Sequence, residues 1–293
     1  MILSSEPFAP HTLKHLEEAR VFASALPEDF YAKMCNDYEQ VSDAVTNRII
    51  YESGGLKVTG ISAFPIKTEE KKHPIYIYNR GGNREFGILT VLAVMRSMLP
   101  FARAGYLVYA SNYRGNDGGE GRDEFGGADV DDVLNLIEAA KENPAWDGKN
   151  IFMLGHSRGG MMTYMSLRRN KSINAAISIA GVSDIAEGGI ERPDMLEKVY
   201  KQLITVPKSE REQAYKDRSA IFWANEIDAP LLLIHGTADD RVDVTHSLKL
   251  AKTLEKFGNK HGLVIYEGGN HALHRKWNEV LEKSIAWFEE YRK

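Results

Sequence analysis

The run Gly155-His156-Ser157-Arg158-Gly159 fits the pattern G-x-S-x-G, and it stands between an apolar segment, NIFMLG, and a stretch of helical character that begins near Arg158. A serine hydroxyl is a weak nucleophile, and a strand-turn-helix setting is what converts it into a reagent. The tight turn lifts the hydroxyl above the sheet, and flanking glycines leave room where a β-carbon would obstruct the backbone. The amide of Arg158, at the head of the helix, is then expected to face a developing oxyanion with the helix dipole behind it.

Such a serine needs a base and an orienting acid, expected later in the chain in the order Ser, Asp, His. Asp239 lies in HGTADD (235–240) directly after the apolar PLLLI, and His271 closes GGNH (268–271) after LVIYE. Both fall at the carboxyl ends of predicted strands, the edge at which open α/β sheets bind ligands. In these roles His271 takes the proton of Ser157 and returns it to the leaving group, while Asp239 holds the imidazole tautomer and stabilises the imidazolium. Asp240 and Asp243 compete with Asp239. Three acids within residues 239–243 also suit a solvated turn in which Asp243 caps a helix starting near Val244, and Asp239 is preferred. Among nine histidines, His235 is assigned a structural hydrogen bond supporting the Asp239 loop, and His156 is only the variable position inside the elbow. His11, His15, His73, His246, His261 and His274 sit in polar or surface-like strings and are assigned no catalytic duty.

Positioning these groups calls for a layered sheet. VTNRIIYES and LKVTGISAF, separated by Gly54-Gly55, predict a β-hairpin. Strands follow at 75–79, 106–113, 150–156, 175–181, 230–236 and 263–269, with helices at 87–102, 127–142, 158–169, 244–257 and 273–291. Near-continuous apolar strands joined by helical crossovers predict an α/β fold, a mostly parallel doubly wound sheet with helices on both faces. The first forty residues are expected to be helical, Leu13, Leu16, Ala19, Phe22 and Ala23 making an apolar stripe. The expected organisation is an N-terminal helical extension (1–44) and a catalytic domain (45–293). Residues 182–222 form an insertion within that domain, with helices near 193–204 and 208–217, placed either to cap a pocket or as a packed surface excursion.

Composition narrows the function classes. The 293 residues include 43% hydrophobic ones, enough for a sizeable core, and Lys+Arg 37 against Asp+Glu 41 leaves a net charge of −4. That balance gives nucleic acid or an anionic membrane no attractive field, and only local patches stay open. The single Cys35 can make neither an intrachain disulfide nor a thiolate metal site. With no signal-peptide pattern and no long apolar run, a cytoplasmic protein is expected. NYRGNDGGEG matches neither nucleotide-binding glycine motif, and no metal-ligand spacing stands out, so no cofactor and no metal are expected. A homo-oligomer stays open.

The strings GHSRGG, LLLIHGTADDRV and GGNH, with NYRGNDGGEGRDEFGGADVDDV (112–133) upstream, resemble the catalytic domain of the prolyl oligopeptidase family of serine peptidases over roughly residues 45–291. The resemblance implies an α/β-hydrolase fold, Ser157 as nucleophile, Asp239 as acid, His271 as base and the Arg158 amide as an oxyanion donor. Two departures stand out. About 45 residues precede the domain, too few for the family's N-terminal β-propeller, which leaves the dipeptidyl peptidase mechanism unsupported. The family's tyrosine- or histidine-Gly-Gly turn, part of its oxyanion hole, appears here as Arg80-Gly81-Gly82. The Arg80 guanidinium could stabilise the oxyanion, neutralise a substrate carboxylate, or point away while the backbone supplies the donor; a merely solubilising arginine is the bland reading. Gly81, Gly82 and Tyr113 are candidates for the substrate pocket, although a tyrosine at a strand end more often serves core or rim. The expected function is a serine hydrolase working through an acyl-enzyme, an oligopeptidase-like peptidase on short or N-blocked peptides. The alternatives are a carboxylesterase on small acyl or carbohydrate esters and an inactive scaffold that binds.

Overall fold

A computed structural model describes residues 1–8, 30–66 and 71–293. The chain divides into two compact units, Met1–Arg122 with Asp131–Asn150, and Asp123–Val130 with Ile151–Lys293.

The first unit is built on a hairpin. Strand β1 (Ile2–Pro7) pairs antiparallel with β2 (Ala44–Ser53), and β2 pairs with β3 (Leu56–Pro65) across the Gly54-Gly55 turn. Beyond β3 the direction changes. Strand β5 (Leu107–Ser111) lies antiparallel to β3 and parallel to β4 (His73–Asn79). Every residue of β4 and β5 is buried, as strands covered on both faces require. The aromatic core of this half stacks Tyr76 on Phe101 with ring centres 4.2 Å apart. Residues 91–103 form one helical run, interrupted by a π-helical turn at Val94–Met98, so the helix expected from residue 87 begins four residues later.

One expectation changes here. Residues 2–7, read as helical, form the edge strand β1. ILSSEP has no period-2 alternation and is almost wholly exposed, so backbone pairing with β2, rather than side-chain burial, defines it. The helix Phe30–Glu39 agrees with the helical reading, whereas the stripe from Leu13 to Ala23 lies outside the described residues.

The second unit is wholly parallel in its sheet. The end of β6 (Trp146–His156) pairs with β7 (Ala175–Ile179), β7 with β8 (Leu231–Gly236), and β8 with β9 (His261–Tyr266). Helices Arg158–Arg169, Thr245–Lys256 and Trp277–Glu290 follow β6, β8 and β9. Phe152 stacks on Phe288 at 4.8 Å, seating the last helix on the sheet. Within the 182–222 insertion the helix Ile185–Glu191 joins the two helical stretches that the charge pattern predicts; Asp184 caps it by accepting the N–H groups of Ala186 and Glu187. The insertion is fastened to the helix Thr245–Lys256 through Ser183 Oγ on the His246 carbonyl (2.8 Å), Glu191 against His246 (3.2 Å) and a Lys249–Glu187 ion pair.

These elements amount to a mixed, mostly parallel β-sheet flanked by helices on both faces, an α/β-hydrolase fold, as the alternation of apolar strands and helices predicts. Among the described residues no helix is long and apolar enough to cross a membrane.

Candidate active site

Ser157 sits between β6 and the helix Arg158–Arg169 with φ 59° and ψ −122°, a conformation costly for a residue with a β-carbon. Neighbours hold it there. Its N–H donates to the Ile179 carbonyl at the end of β7 (2.9 Å), and its own carbonyl accepts from Gly160 N–H (2.8 Å). The turn is so tight that a β-carbon on Gly155 would stand 1.9 Å from the Gly159 carbonyl oxygen and 2.5 Å from Thr163 Oγ1. Gly155→Ala is therefore expected to destabilise the fold by about 3 kcal/mol or more, because backbone must move to admit one methyl group; urea unfolding measures it.

The candidate acid and base, Asp239 and His271, converge from the loops after β8 and β9. His271 Nδ1 donates to Asp239 Oδ2 at 2.7 Å, which leaves the far nitrogen, Nε2, able to accept a proton. Asp239 Oδ1 accepts the N–H groups of Arg241 (2.9 Å) and Val242 (3.0 Å), and Oδ2 also receives His235 Nε2 at 3.0 Å. Burial pushes the Asp239 carboxyl up, but hydrogen bonds from His235 and His271, the His271 charge and the Val242 N–H together hold it well below the ordinary carboxylate range. The two loops approach closely because Gly236 has no side chain: a β-carbon there would stand 2.1 Å from the Gly269 carbonyl oxygen. Ala238 N–H donates to that carbonyl at 2.9 Å, and Gly268 N–H to Thr237 Oγ1 at 2.9 Å. Of the competing acids, Asp240 is exposed, and Asp243 accepts Thr245 N–H at 2.8 Å at the head of the next helix, the capping duty expected of it.

The serine elbow and the histidine loop meet through a residue that pattern reading leaves idle. His156 Nε2 donates to the backbone carbonyl of His271 at 2.9 Å, and the two rings lie 4.8 Å apart. Its only sequence signal is a donor beside the serine. Among the described residues no hydrogen bond runs from Ser157 Oγ to the His271 ring; contacts of this kind often tighten only when substrate binds.

Arg158 carries its side chain away from the elbow. The guanidinium is buried, donates to both oxygens of Asp123 (2.7 and 2.8 Å), pairs with Asp129 and lies over the Phe125 ring at 4.7 Å. The residue that offers its amide at the helix head is thereby clamped. Asp123 and Asp129, members of the acidic string after Arg122, are the site-supporting residues that motif reading misses; nothing marks them locally as partners of an arginine 29 and 35 residues later.

In the other unit, Arg80 departs from three of the roles left open for it. Its side chain is 1% exposed, so it is not a solubilising group. Its guanidinium donates to the carbonyls of Asn112, Gly81, Phe86 and Arg84, each at 2.7–3.3 Å, which occupies all five of its N–H bonds and leaves none for an oxyanion or a substrate carboxylate. The role left of the four is the one in which the guanidinium points away. Tyr113, a candidate for the pocket, is instead fully buried: its hydroxyl donates to the Arg80 carbonyl at 3.0 Å while the guanidinium lies 5.0 Å from its ring centre. It braces the Arg80–Gly81 peptide rather than lining a pocket. Gly81 and Gly82 lie half-buried in the turn that these two side chains hold.

The sequence pattern of the prolyl oligopeptidase family matches residues 93–293, a span that holds the elbow, the acid loop and the base loop. The chain belongs to the prolyl oligopeptidase family. Among its relatives, the uncharacterized peptidase YtmA of Bacillus subtilis (strain 168) is 30% identical over 239 residues, covering 81% of this chain and 90% of that protein. The acylamino-acid-releasing enzyme of Sus scrofa is 28% identical over 75% of this chain, which spans only 31% of that enzyme's length. The uncomplexed acylaminoacyl peptidase of Pyrococcus horikoshii superposes with a TM-score of 0.72 at 25% identity, over 87% of this chain and 43% of that one. Family membership implies a serine-hydrolase-type catalytic domain.

Proposed function

We propose that this protein is a serine peptidase of short or N-blocked peptides, with Ser157 as nucleophile, His271 as base and Asp239 as the acid that orients it. The observation that carries the reading is the 2.7 Å Asp239–His271 hydrogen bond, tied by His156 to the elbow that bears Ser157. In the first half-reaction Ser157 Oγ attacks the scissile carbonyl and its proton passes to His271 Nε2. The oxyanion of the tetrahedral intermediate is met by the Arg158 amide. Collapse breaks the C–N bond, and the leaving amine takes the proton from His271, leaving an ester on Ser157. Water then repeats the sequence, losing a proton to His271 and releasing the carboxylic acid. The preference for N-blocked peptides is supported by the similarity to acylamino-acid-releasing enzymes.

The test begins with a small fluorophosphonate, which reports an activated serine without a guess at the substrate. Intact-protein mass is expected to show one adduct on the wild type, and peptide mapping is expected to place it on Ser157. A folded protein that takes no adduct overturns the reading. Matched N-acetyl peptide amides and esters then divide peptidase from esterase. Turnover of the amide is expected, and turnover of esters alone, with the amide untouched, rejects the peptidase assignment.

A further inference from the structure

His235 ends β8, is fully buried, and makes more polar contacts than a loop support needs. Its Nε2 lies 3.0 Å from Asp239 Oδ2 and 2.9 Å from the Val242 carbonyl, and its Nδ1 lies 2.7 Å from Ser247 Oγ. A carbonyl only accepts, and an ionised carboxylate only accepts, so the hydrogen must be on Nε2. Nδ1 faces the Ser247 hydroxyl, which can donate to it or accept from it. The Val242 carbonyl and the Asp239 carboxylate thus fix a hydrogen on Nε2, and partners from the acid loop and the helix Thr245–Lys256 hold the ring at both nitrogens.

The oxygen that His235 meets is the one that His271 meets. Asp239 Oδ2 therefore receives two imidazole N–H groups, at 2.7 and 3.0 Å, while Oδ1 is held by backbone N–H groups. Resting on the reading of Asp239 and His271 as acid and base, we propose that His235 is a positioning residue for the reaction, acting through Asp239. It fixes the plane of the carboxylate and shares its electron density, and Ser247 holds the ring where it can do so.

Two consequences follow from sharing one oxygen. With His235 gone, Oδ2 loses a donor, the carboxylate rotates more freely, and the imidazole of His271 loses its fixed bearing on Ser157. The carboxylate also becomes the stronger acceptor for His271 Nδ1–H, which favours the imidazolium and moves the acid limb of kcat/KM to higher pH. The other titratable groups around these residues are His156, whose ring lies 4.8 Å from that of His271, Asp243 on the acid loop, and His246, beside Ser247, which faces Glu191 of the insertion. None of them touches Asp239 Oδ2.

The experiment compares His235→Leu, which deletes the N–H, with His235→Gln, whose side-chain amide reaches the Nε2 position and restores one. Amide turnover and the rate of fluorophosphonate labelling are followed across pH on folded protein. His235→Leu is expected to lower kcat about 10- to 100-fold with KM within about twofold, the rate equivalent of one hydrogen bond to a charged group. Its acid limb is expected to rise by about half a pH unit or more. His235→Gln is expected to recover kcat to within about threefold and to return the limb to its wild-type position. Where the leucine variant does not fold, Ser247→Ala serves instead: it removes the contact that holds Nδ1, the ring is freer to tilt away from Oδ2, and kcat is expected to fall about tenfold with the limb moved in the same direction. Wild-type kcat and an unmoved limb in a folded variant overturn the proposal. So does a loss of kcat that glutamine does not rescue and pH does not reveal, which marks a purely structural role. Failure of the wild type itself to label at Ser157 removes the acid–base reading on which the proposal stands, and is told apart by that single control.

Discussion

Ser157→Ala is expected to lower kcat by about a million-fold, the scale set by removal of the nucleophile from an independent serine hydrolase. The residue is a good one to delete because little else depends on its side chain. The elbow is held by backbone, through Ser157 N–H on Ile179 and the Gly160 N–H on the Ser157 carbonyl, and alanine keeps both. The strained φ of 59° stays, with one oxygen fewer to accommodate. Unfolding by urea is thus expected to match the wild type within about 0.5 kcal/mol, the range of substitutions that remove no buried partner. Substrate binding is expected to persist, since the Arg158 amide and the clamp of Asp123 and Asp129 on that arginine are untouched. The result to measure is single-turnover amide cleavage beside equilibrium binding of the same peptide. Comparable turnover in the alanine variant and the wild type would remove Ser157 from the chemistry altogether.

Motif reading puts Ser157, Asp239 and His271 forward as candidates for a physical reason. Each of Ser157, Asp239 and His271 follows an apolar strand, and a parallel strand buried on both faces writes its pattern in the sequence as an uninterrupted run. The groups that a parallel sheet carries at its carboxyl edge are therefore found by looking just past such runs. What escapes that reading is held by contacts distant in sequence. His156 looks like filler because its partner is a backbone carbonyl 115 residues away. Asp123 and Asp129 look like part of a soluble acidic string, and only the turn of Arg158 into the interior reveals them as its counter-charges. Arg80 illustrates the opposite error. Its residue type invites a role in binding anions, yet three carbonyls of its own loop and that of Asn112 after β5 consume its donors, and composition cannot register an arginine spent on backbone. Strand β1 is invisible for the same reason, being defined by backbone pairing at an exposed edge.

Asp239→Asn is the second large expectation, and its sign follows from counting donors. Four N–H groups point at the carboxylate, from His271, His235, Arg241 and Val242. An amide has one oxygen to offer them and brings two N–H bonds of its own. With its oxygen turned to the backbone pair, its NH2 faces both imidazoles. His271 then presents Nδ1 as an acceptor and carries its proton on Nε2, the tautomer that cannot take a proton from Ser157, and kcat is expected to fall about ten-thousand-fold. His235 cannot escape by the same flip, because its Nε2 also donates to the Val242 carbonyl, which can only accept. A buried donor is left facing a donor, at a cost of about 2 kcal/mol in stability at neutral pH. The pH dependence separates this variant from a general loosening of the fold. The wild-type carboxyl is held well below its ordinary range, so the stability it contributes is present above the unfolded value, near pH 4, and drains away as pH falls toward the folded one. Asparagine has no such proton to take up. Urea unfolding at pH 7 and again at pH 3 is therefore expected to show a gap between wild type and Asp239→Asn that narrows in acid, while a gap of constant size would detach the carboxylate's charge from the stability of the site.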